Sequence, residues 1–306
     1  MEVLKIRKLI VLCCSAVVPL ALIAPLPAGA SGTGDVAQPK IDRFPARVAY
    51  RGSVDIEGHV QGRPQDVEVT LQRRYPHNDF WRNIGSAHTN KQGEVAFHLT
   101  GPRYTGRYRL RTADAKGDAE TIWVRPRLRL RVNRTEVMEG ARIAIEGSLR
   151  PAISGRRAIL AWRVNGDWRT IDNVRLGDGR FARKLRVGDR GRRRVRITFT
   201  RDRYNSWARS SELVRVHRRS PATWYGPGFF GNRMACGQRY NRDMLGVAHR
   251  TLRCGTMVSA LYKGRSVRVP VVDRGPYGDS QWDLTEETAE RLRFSGRQNI
   301  GVLVEQ

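Results

Sequence analysis

Cysteine is nearly absent from this chain: there are four in 306 residues, and Cys13 and Cys14 fall inside an apolar amino-terminal run. That scarcity excludes a fold stapled by many disulfides. Cys236 and Cys254 remain, and two thiols without clustered histidines fall short of zinc's four ligands. In an exported chain two such cysteines are expected to pair, with a metal site as the alternative. Acidic residues are also few, 29 against 56 basic ones, and lysine is scarce, since 49 of those are arginine. After residue 26 no apolar run approaches membrane-spanning length. From about Ile41 to residue 217 there is no convincing helical period, which argues against a helical bundle there.

What is present falls into segments. Lys5, Arg7 and Lys8 precede the apolar run Leu9 to Leu26, and Ala28-Gly29-Ala30 has the small-x-small form of a signal-peptidase site. Residues 1–30 therefore read as a secretory signal; an uncleaved anchor is the rival reading. Residues 31–41 read as a flexible lead. Short alternating runs follow, broken by turn residues about every ten positions, the pattern of a β-sandwich. The pattern recurs. Val54-Asp55-Ile56-Glu57-Gly58 returns as Ile143-Ala144-Ile145-Glu146-Gly147, and Trp81-Arg82-Asn83-Ile84 returns as Trp168-Arg169-Thr170-Ile171. This predicts two tandem Ig-like β-sandwich domains at 42–125 and 126–217, with a linker at 218–221.

Trp81 and Trp168 are expected to pack in the cores rather than to contact ligand. The +27 formal charge is concentrated, with a net of +17 between 126 and 219 against +4 in each flanking segment. Arginine at 125, 127, 129 and 131 alternates with apolar residues, as on the solvated face of a sheet. A segment this basic is expected to meet polyanions, which outside the cell means anionic wall polymers or acidic lipids. Nucleic acid is set aside on grounds of compartment.

Past Pro221, Gly, aromatic and isolated acidic residues gather. Strands are suggested at Gly246–Ala248, Met257–Leu261, Ser266–Val272 and Ile300–Val304, with a helix from Thr285 to Leu292. Trp224-Tyr225-Gly226, Ala235-x-Gly237, Ala248-His249-x-Thr251-Leu252, Gly264-Arg265-Ser266-Val267, Asp273-Arg274-Gly275-Pro276 and Asp283-Leu284 stand in order here. Residues 222–306 so resemble the rare lipoprotein A family of septal lytic transglycosylases, and more distantly the expansins. The resemblance implies a six-stranded double-psi β-barrel with one short helix, acting on peptidoglycan glycan strands without a cofactor. It implies Asp273 as catalytic acid and His249 as a second catalytic residue. Tyr225, Trp224, Gln238, Asn241, Arg274 and Asp283 are then substrate-binding candidates, and a Cys236–Cys254 disulfide would brace the same loop.

Bland roles stand beside these. Asp273 could simply bond its turn, His249 could be a packed histidine, Asp283 could cap the helix, and Trp224 could fill the first strand. The chain also departs from the family, with Gln238 where glutamate is usual and Asn241 where aspartate is common. Amides cannot donate and recover a proton near neutral pH. The expectation is thus an exported bacterial cell-wall protein whose barrel cleaves glycan strands weakly. The alternatives are an expansin-like module that binds and loosens without cleaving, and a structural adhesion protein of the envelope.

Overall fold

The computed structural model describes residues 37–305 apart from Arg63, Asn165 and Asp189, so the leader expected at 1–30 lies outside the described residues. Eight strands come first: β1 (Pro39–Arg43), β2 (Arg47–Ala49), β3 (Ser53–Val60), β4 (Glu68–Arg74), β5 (Arg82–His88), β6 (Glu94–Thr100), β7 (Gly106–Arg111) and β8 (Glu120–Arg125). Eight more follow: β9 (Arg127–Val132), β10 (Glu136–Met138), β11 (Arg142–Arg150), β12 (Arg157–Val164), β13 (Asp167–Arg175), β14 (Arg180–Arg186), β15 (Gly191–Phe199) and β16 (Ala208–Tyr225). The chain ends with β17 (Val247–Ala248), β18 (Met257–Tyr262), β19 (Arg265–Asp273), β20 (Trp282–Thr285), helix α1 (Glu286–Leu292) and β21 (Gln298–Val304). The protein is mainly β, and among the described residues no helix is long and apolar enough to cross a membrane.

Period-two alternation decides which side chains face inward. In β3, Val54, Ile56 and Val60 are buried while Ser53, Asp55 and Glu57 are exposed. β1-β3-β6 form one sheet and β2-β8-β7-β4-β5 another, and Ile56, Leu71, Tyr108 and Leu110 from both sheets share one core. The second eight strands repeat that order. β9-β11-β14 stands for β1-β3-β6, and β10-β16-β15-β12-β13 for β2-β8-β7-β4-β5, each with its parallel pair at the same place. Their core gathers Ile145, Leu160, Ile197 and Val214. The repeated Glu-Gly has a steric cause: a Cβ at Gly58 would collide with the Lys40 carbonyl, and one at Gly147 with the Phe181 ring and the Arg129 carbonyl.

Three expectations need correction. Residues 39–41 are not part of a flexible lead, because Ile41 is buried in the core and Pro39 pairs with Val60. Trp81 and Trp168 are half-buried rather than core residues. Each is covered from outside by an arginine at the matching position of its repeat: Arg109 lies 4.1 Å from the Trp81 ring and Arg196 lies 3.7 Å from that of Trp168. A guanidinium plane satisfies an aromatic face as well as apolar neighbours do, so an outward tryptophan is no defect. Last, residues 218–221 are no linker, since they lie within the unbroken strand β16.

β16 serves two cores in succession. Its residues 208–216 pair with β15 and its residues 215–217 with β10. From Arg218 onward it pairs with β21, and from Ala222 with β20. β20 pairs with β17, β17 with β19, β19 with β18 and β18 with β21, which closes six strands into a ring. Val258, Val269, Val271, Leu284 and Ile300 fill the core of this part, with Ala289 and Leu292 of α1 packed on it. α1 starts after extended Thr285, carries Glu286 and Glu287 in its first turn, and stops at left-handed Arg293.

Where β16 leaves the second core, charged groups join the two parts. Glu305, whose side chain is 6% exposed, accepts from Arg215 at 2.9 Å and also pairs with Arg268. Arg215 reaches Glu136 at 2.8 Å as well. Burial alone would push the Glu305 carboxyl up, but the hydrogen bonds and charges of Arg268 and Arg215 together outweigh it and hold the group below its ordinary value. A depressed carboxyl adds stability that is present above its unfolded pKa and lost as pH falls through the folded one. Glu305→Gln is therefore expected to cost about 1–3 kcal/mol at neutral pH in urea unfolding, with the difference from wild type shrinking under acid conditions. Equal midpoints at neutral pH would show that the seam contributes nothing.

Candidate active site

Backbone register brings two acids together. β17 lies between β19 and β20, and its Ala248 is opposite Asp273 on one side and Asp283 on the other. With neighbouring strands about 4.8 Å apart, their backbones are held roughly 10 Å from each other. The two acids stand ten positions apart in sequence, and it is β17, from an earlier part of the chain, that sets their spacing by pairing with both strands.

The two carboxyls have different surroundings. One Asp273 oxygen accepts the backbone N–H of Ala235 at 2.8 Å and that of Arg274 at 2.8 Å. Asp283 is half-buried, and one of its oxygens is fully buried with no hydrogen-bond partner among the described residues. Burial pushes its carboxyl up to about 6; the negative charge of Asp273 adds to this and the Thr223 hydroxyl opposes it. Asp283 does not cap the helix, because Thr285 holds the cap position.

The loop over Asp273 is tied down on several sides. Cys236 and Cys254 form a disulfide with Cα atoms 5.6 Å apart. The loop closes on itself through Gly231 N–H to the Tyr240 carbonyl and Met234 N–H to the Gln238 carbonyl. Tyr240 is buried, its hydroxyl donating to the Tyr225 carbonyl at 2.9 Å and accepting the Glu286 N–H at 3.0 Å. Tyr225 packs against Tyr240 and Phe229, with ring centroids 4.8 and 6.1 Å away, so its ring belongs to the loop's small core rather than to an open groove. Burial, and then the Asp273 charge, hold its phenol above the usual tyrosine range and keep it protonated.

Trp224 points the other way and is 39% exposed. Its ring lies across Gly226, where a Cβ would strike it, so that glycine leaves the indole room to lie flat beside the strand. Gln238 and Asn241 are exposed, and their side chains make no hydrogen bond among the described residues. Arg274 donates to the carbonyls of His249 and Leu252, at 3.3 and 2.9 Å, and so braces the 249–252 turn. Arg250, not anticipated from sequence, ties the 276–280 loop by donating to the Pro276, Gly278 and Ser280 carbonyls.

His249 is not brought to the acids through its ring. Its backbone N–H donates to the Asp273 carbonyl, while its Nδ1 accepts from the backbone of Thr251 and Leu252 at 3.2 and 3.1 Å. The remaining proton is therefore on Nε2. Burial, with the charges of Arg250 and Arg274, keeps the imidazole below its ordinary value and neutral. The ring rests on Trp282, centroids 4.4 Å apart, and the two line a cavity of about 390 Å³ whose walls do not include Asp273 or Asp283.

Residues 218–304 match the family model described as lytic transglycolase. A probable endolytic peptidoglycan transglycosylase RlpA from Synechocystis is 39% identical over 105 residues, covering 33% of this chain and 32% of that protein. The carboxy-terminal segment is RlpA-like. The Campylobacter jejuni RlpA is 40% identical over 74 residues, covering 23% of this chain and 27% of that one. An Aquifex aeolicus relative is 44% identical over 77 residues, covering 24% and 34%. The chain thus spans about a third of the length of the curated relatives it matches, and the likeness is confined to the RlpA-like segment.

Among the residues sequence reasoning missed, Tyr240 and Thr223 carry no local motif, and Arg250 looks like one more surface arginine. A raised Asp283 carboxyl means the ionised group costs stability at neutral pH, a cost absent below the unfolded aspartate pKa of about 4. Asp283→Asn should accordingly raise the melting temperature at neutral pH and leave it unchanged below that value. A melting temperature that does not rise at neutral pH would contradict the burial of this charge.

Proposed function

We propose that the RlpA-like segment cleaves peptidoglycan glycan strands as an endolytic transglycosylase, with Asp283 carrying the proton and Asp273 as its charged partner. The supporting observation is the placement of both acids across Ala248, with Asp283 held up to about 6. A carboxyl at that value is substantially protonated in mildly acidic surroundings yet can reload after each turnover. Protonated Asp283 donates to the glycosidic oxygen as the C–O bond breaks. The sugar's own primary hydroxyl then bonds to the anomeric carbon and returns its proton to Asp283, leaving a 1,6-anhydro end with no water consumed. Asp273, fixed by two backbone N–H groups, offers negative charge to the oxocarbenium-like centre.

This reading moves the acid role from Asp273 to Asp283. His249, positioned through its backbone, is given the task of shaping the turn. Exposed Trp224, Gln238 and Asn241 offer an indole face and two amides to sugar hydroxyls. Amides in place of the family's acids leave a weakened site, because only the Asp pair can move a proton. The two repeated units in front are taken as Ig-like β-sandwiches that present this segment in the cell envelope after export. Their boundaries are placed near 39–125, 126–217 and 218–306, since Pro39 pairs within the first unit and Arg218 within the ring.

Purified glycan strands incubated with the protein and examined by mass spectrometry should gain anhydro-muramic ends. Asp283→Asn should lower the yield by about 100-fold or more while binding to sacculi survives. Asp273→Asn removes a charge that raises Asp283, so the alkaline limb of the remaining activity should move to lower pH. Gln238→Glu should increase turnover if the site is weakened as described. Intact binding with no anhydro ends from any of these proteins would leave a non-catalytic wall-binding or wall-loosening module in place of an enzyme.

A further inference from the structure

A cavity in the second repeat has neither of these acids in its walls. It occupies about 690 Å³ on the outward face of the β14-β11-β9 sheet. Register sets its layout. Ser148 on the central strand is opposite Arg129 on one side and Arg180 on the other; Glu146 is opposite Arg131 and Ala182; Arg150 is opposite Arg127. Small side chains at Ser148 and Ala182 make the floor and arginines stand around it. Alternate positions on β9 place Arg127, Arg129 and Arg131 about 6.7 Å apart in a row.

What sets these arginines apart is their regular placement on one face, while several arginines elsewhere are tied to carboxylates. Arg156, Arg183, Arg215 and Arg268 each pair with a carboxylate. Among the described residues, Arg127, Arg129, Arg131, Arg150 and Arg180 make no ion pair and no side-chain hydrogen bond, and Glu146 is the one carboxylate in the lining. The row continues into a second cavity of about 360 Å³ that shares Arg127 and Arg150 and adds Arg51 and Arg103 from the first repeat. Between the two, the Tyr50 ring has Arg51 at 5.6 Å and Arg127 at 5.8 Å.

We infer that this arginine-lined trough binds a flexible phosphodiester polymer laid along β9, independently of the activity proposed above. Unpaired guanidinium groups at a regular spacing fit a chain that carries one charge per repeat, and each can hold a phosphate bidentately. A polymer with charge in its backbone can lie on a floor of serine and alanine. An acidic peptide fits less well on this face, because the backbone groups of the sheet lie in its plane and those of central β11 are already paired with β9 and β14. That leaves the trough floor no donor or acceptor for the peptide's own amides.

The probe is a labelled abasic deoxyribose-phosphate oligomer, a phosphodiester chain without bases, with binding to the full chain read by fluorescence anisotropy across a salt series. The triple variant Arg129→Ser, Arg131→Ser, Arg180→Ser should weaken binding about tenfold or more and reduce the salt slope by about 2, roughly 0.7 for each lost contact. A control with the same charge removed elsewhere, Arg82→Ser, Arg169→Ser, Arg265→Ser, should change affinity by less than about threefold, since it loses only diffuse attraction. Arg129→Lys with Arg131→Lys should fall between, keeping charge but losing the bidentate fork. Thermal melts of all variants exclude a folding cause, all the substituted side chains being exposed. Equal loss from the two triples would overturn the proposal and leave a diffuse basic surface. So would polyglutamate of equal charge binding as tightly, a base-bearing oligomer binding far more tightly, or no binding of the probe.

Discussion

The rest of the molecule depends on a single strand that does not stop. β16 runs from Ala208 to Tyr225, and its first half completes the second repeat while its second half opens the six-stranded ring. One extended backbone cannot shift its register on one side without dragging the other, since a slip of one residue would turn every side chain to the opposite face. Val214 and Val216 are buried in the second core, and Ala222 in that of the ring. The Arg215–Glu305–Arg268 contacts and buried His217, whose Nε2 lies 3.0 Å from the Ser259 hydroxyl, close the seam on either side of the strand.

Through that strand the fold reaches the two acids. Thr223 of β16 is opposite Asp283, Asp283 is opposite Ala248, and Ala248 is opposite Asp273. The carboxyls therefore inherit their separation from strand spacing, while the disulfide and Tyr240 hold the covering loop. An acid kept half-buried, with one oxygen lacking a partner among the described residues, is a local cost that the packed ring tolerates, and the proton-donor role proposed for Asp283 would call for that cost. The arginine trough follows another logic: among the described residues its guanidinium groups form no ion pair, as the external partner proposed for them requires.

Much of this was legible in the sequence, for reasons that can be named. The repeat was visible because Glu-Gly recurs where a strand carbonyl or an aromatic ring comes too close for a side chain, at Gly58 and Gly147. The four short apolar runs after residue 245 became strands, and Thr285 became the cap of the helix. Cys236 and Cys254 paired as an oxidising compartment suggests. What stayed hidden was set by tertiary register. His217-Arg218-Arg219-Ser220-Pro221 has the composition of a linker, yet the alternating contacts of β16 with β21 make it strand. Trp81 and Trp168 were misplaced because sequence does not show which arginine will lie across an outward ring. For Asp283 the sequence left a site role and a cap role open, since only the pairing of β17 with both strands brings Asp273 opposite it across Ala248.

Hydrogen exchange along β16 tests the account most directly. If one strand couples the repeat to the ring, the amides of Val214 and Val216 on one side and of Ser220 and Ala222 on the other should exchange through the same opening, with matching protection and a matching response to denaturant. If the Ser220 and Ala222 amides exchange through a separate, lower-energy opening while Val214 and Val216 remain protected, the ring is an independent unit. The continuous strand would then not be what positions the two acids.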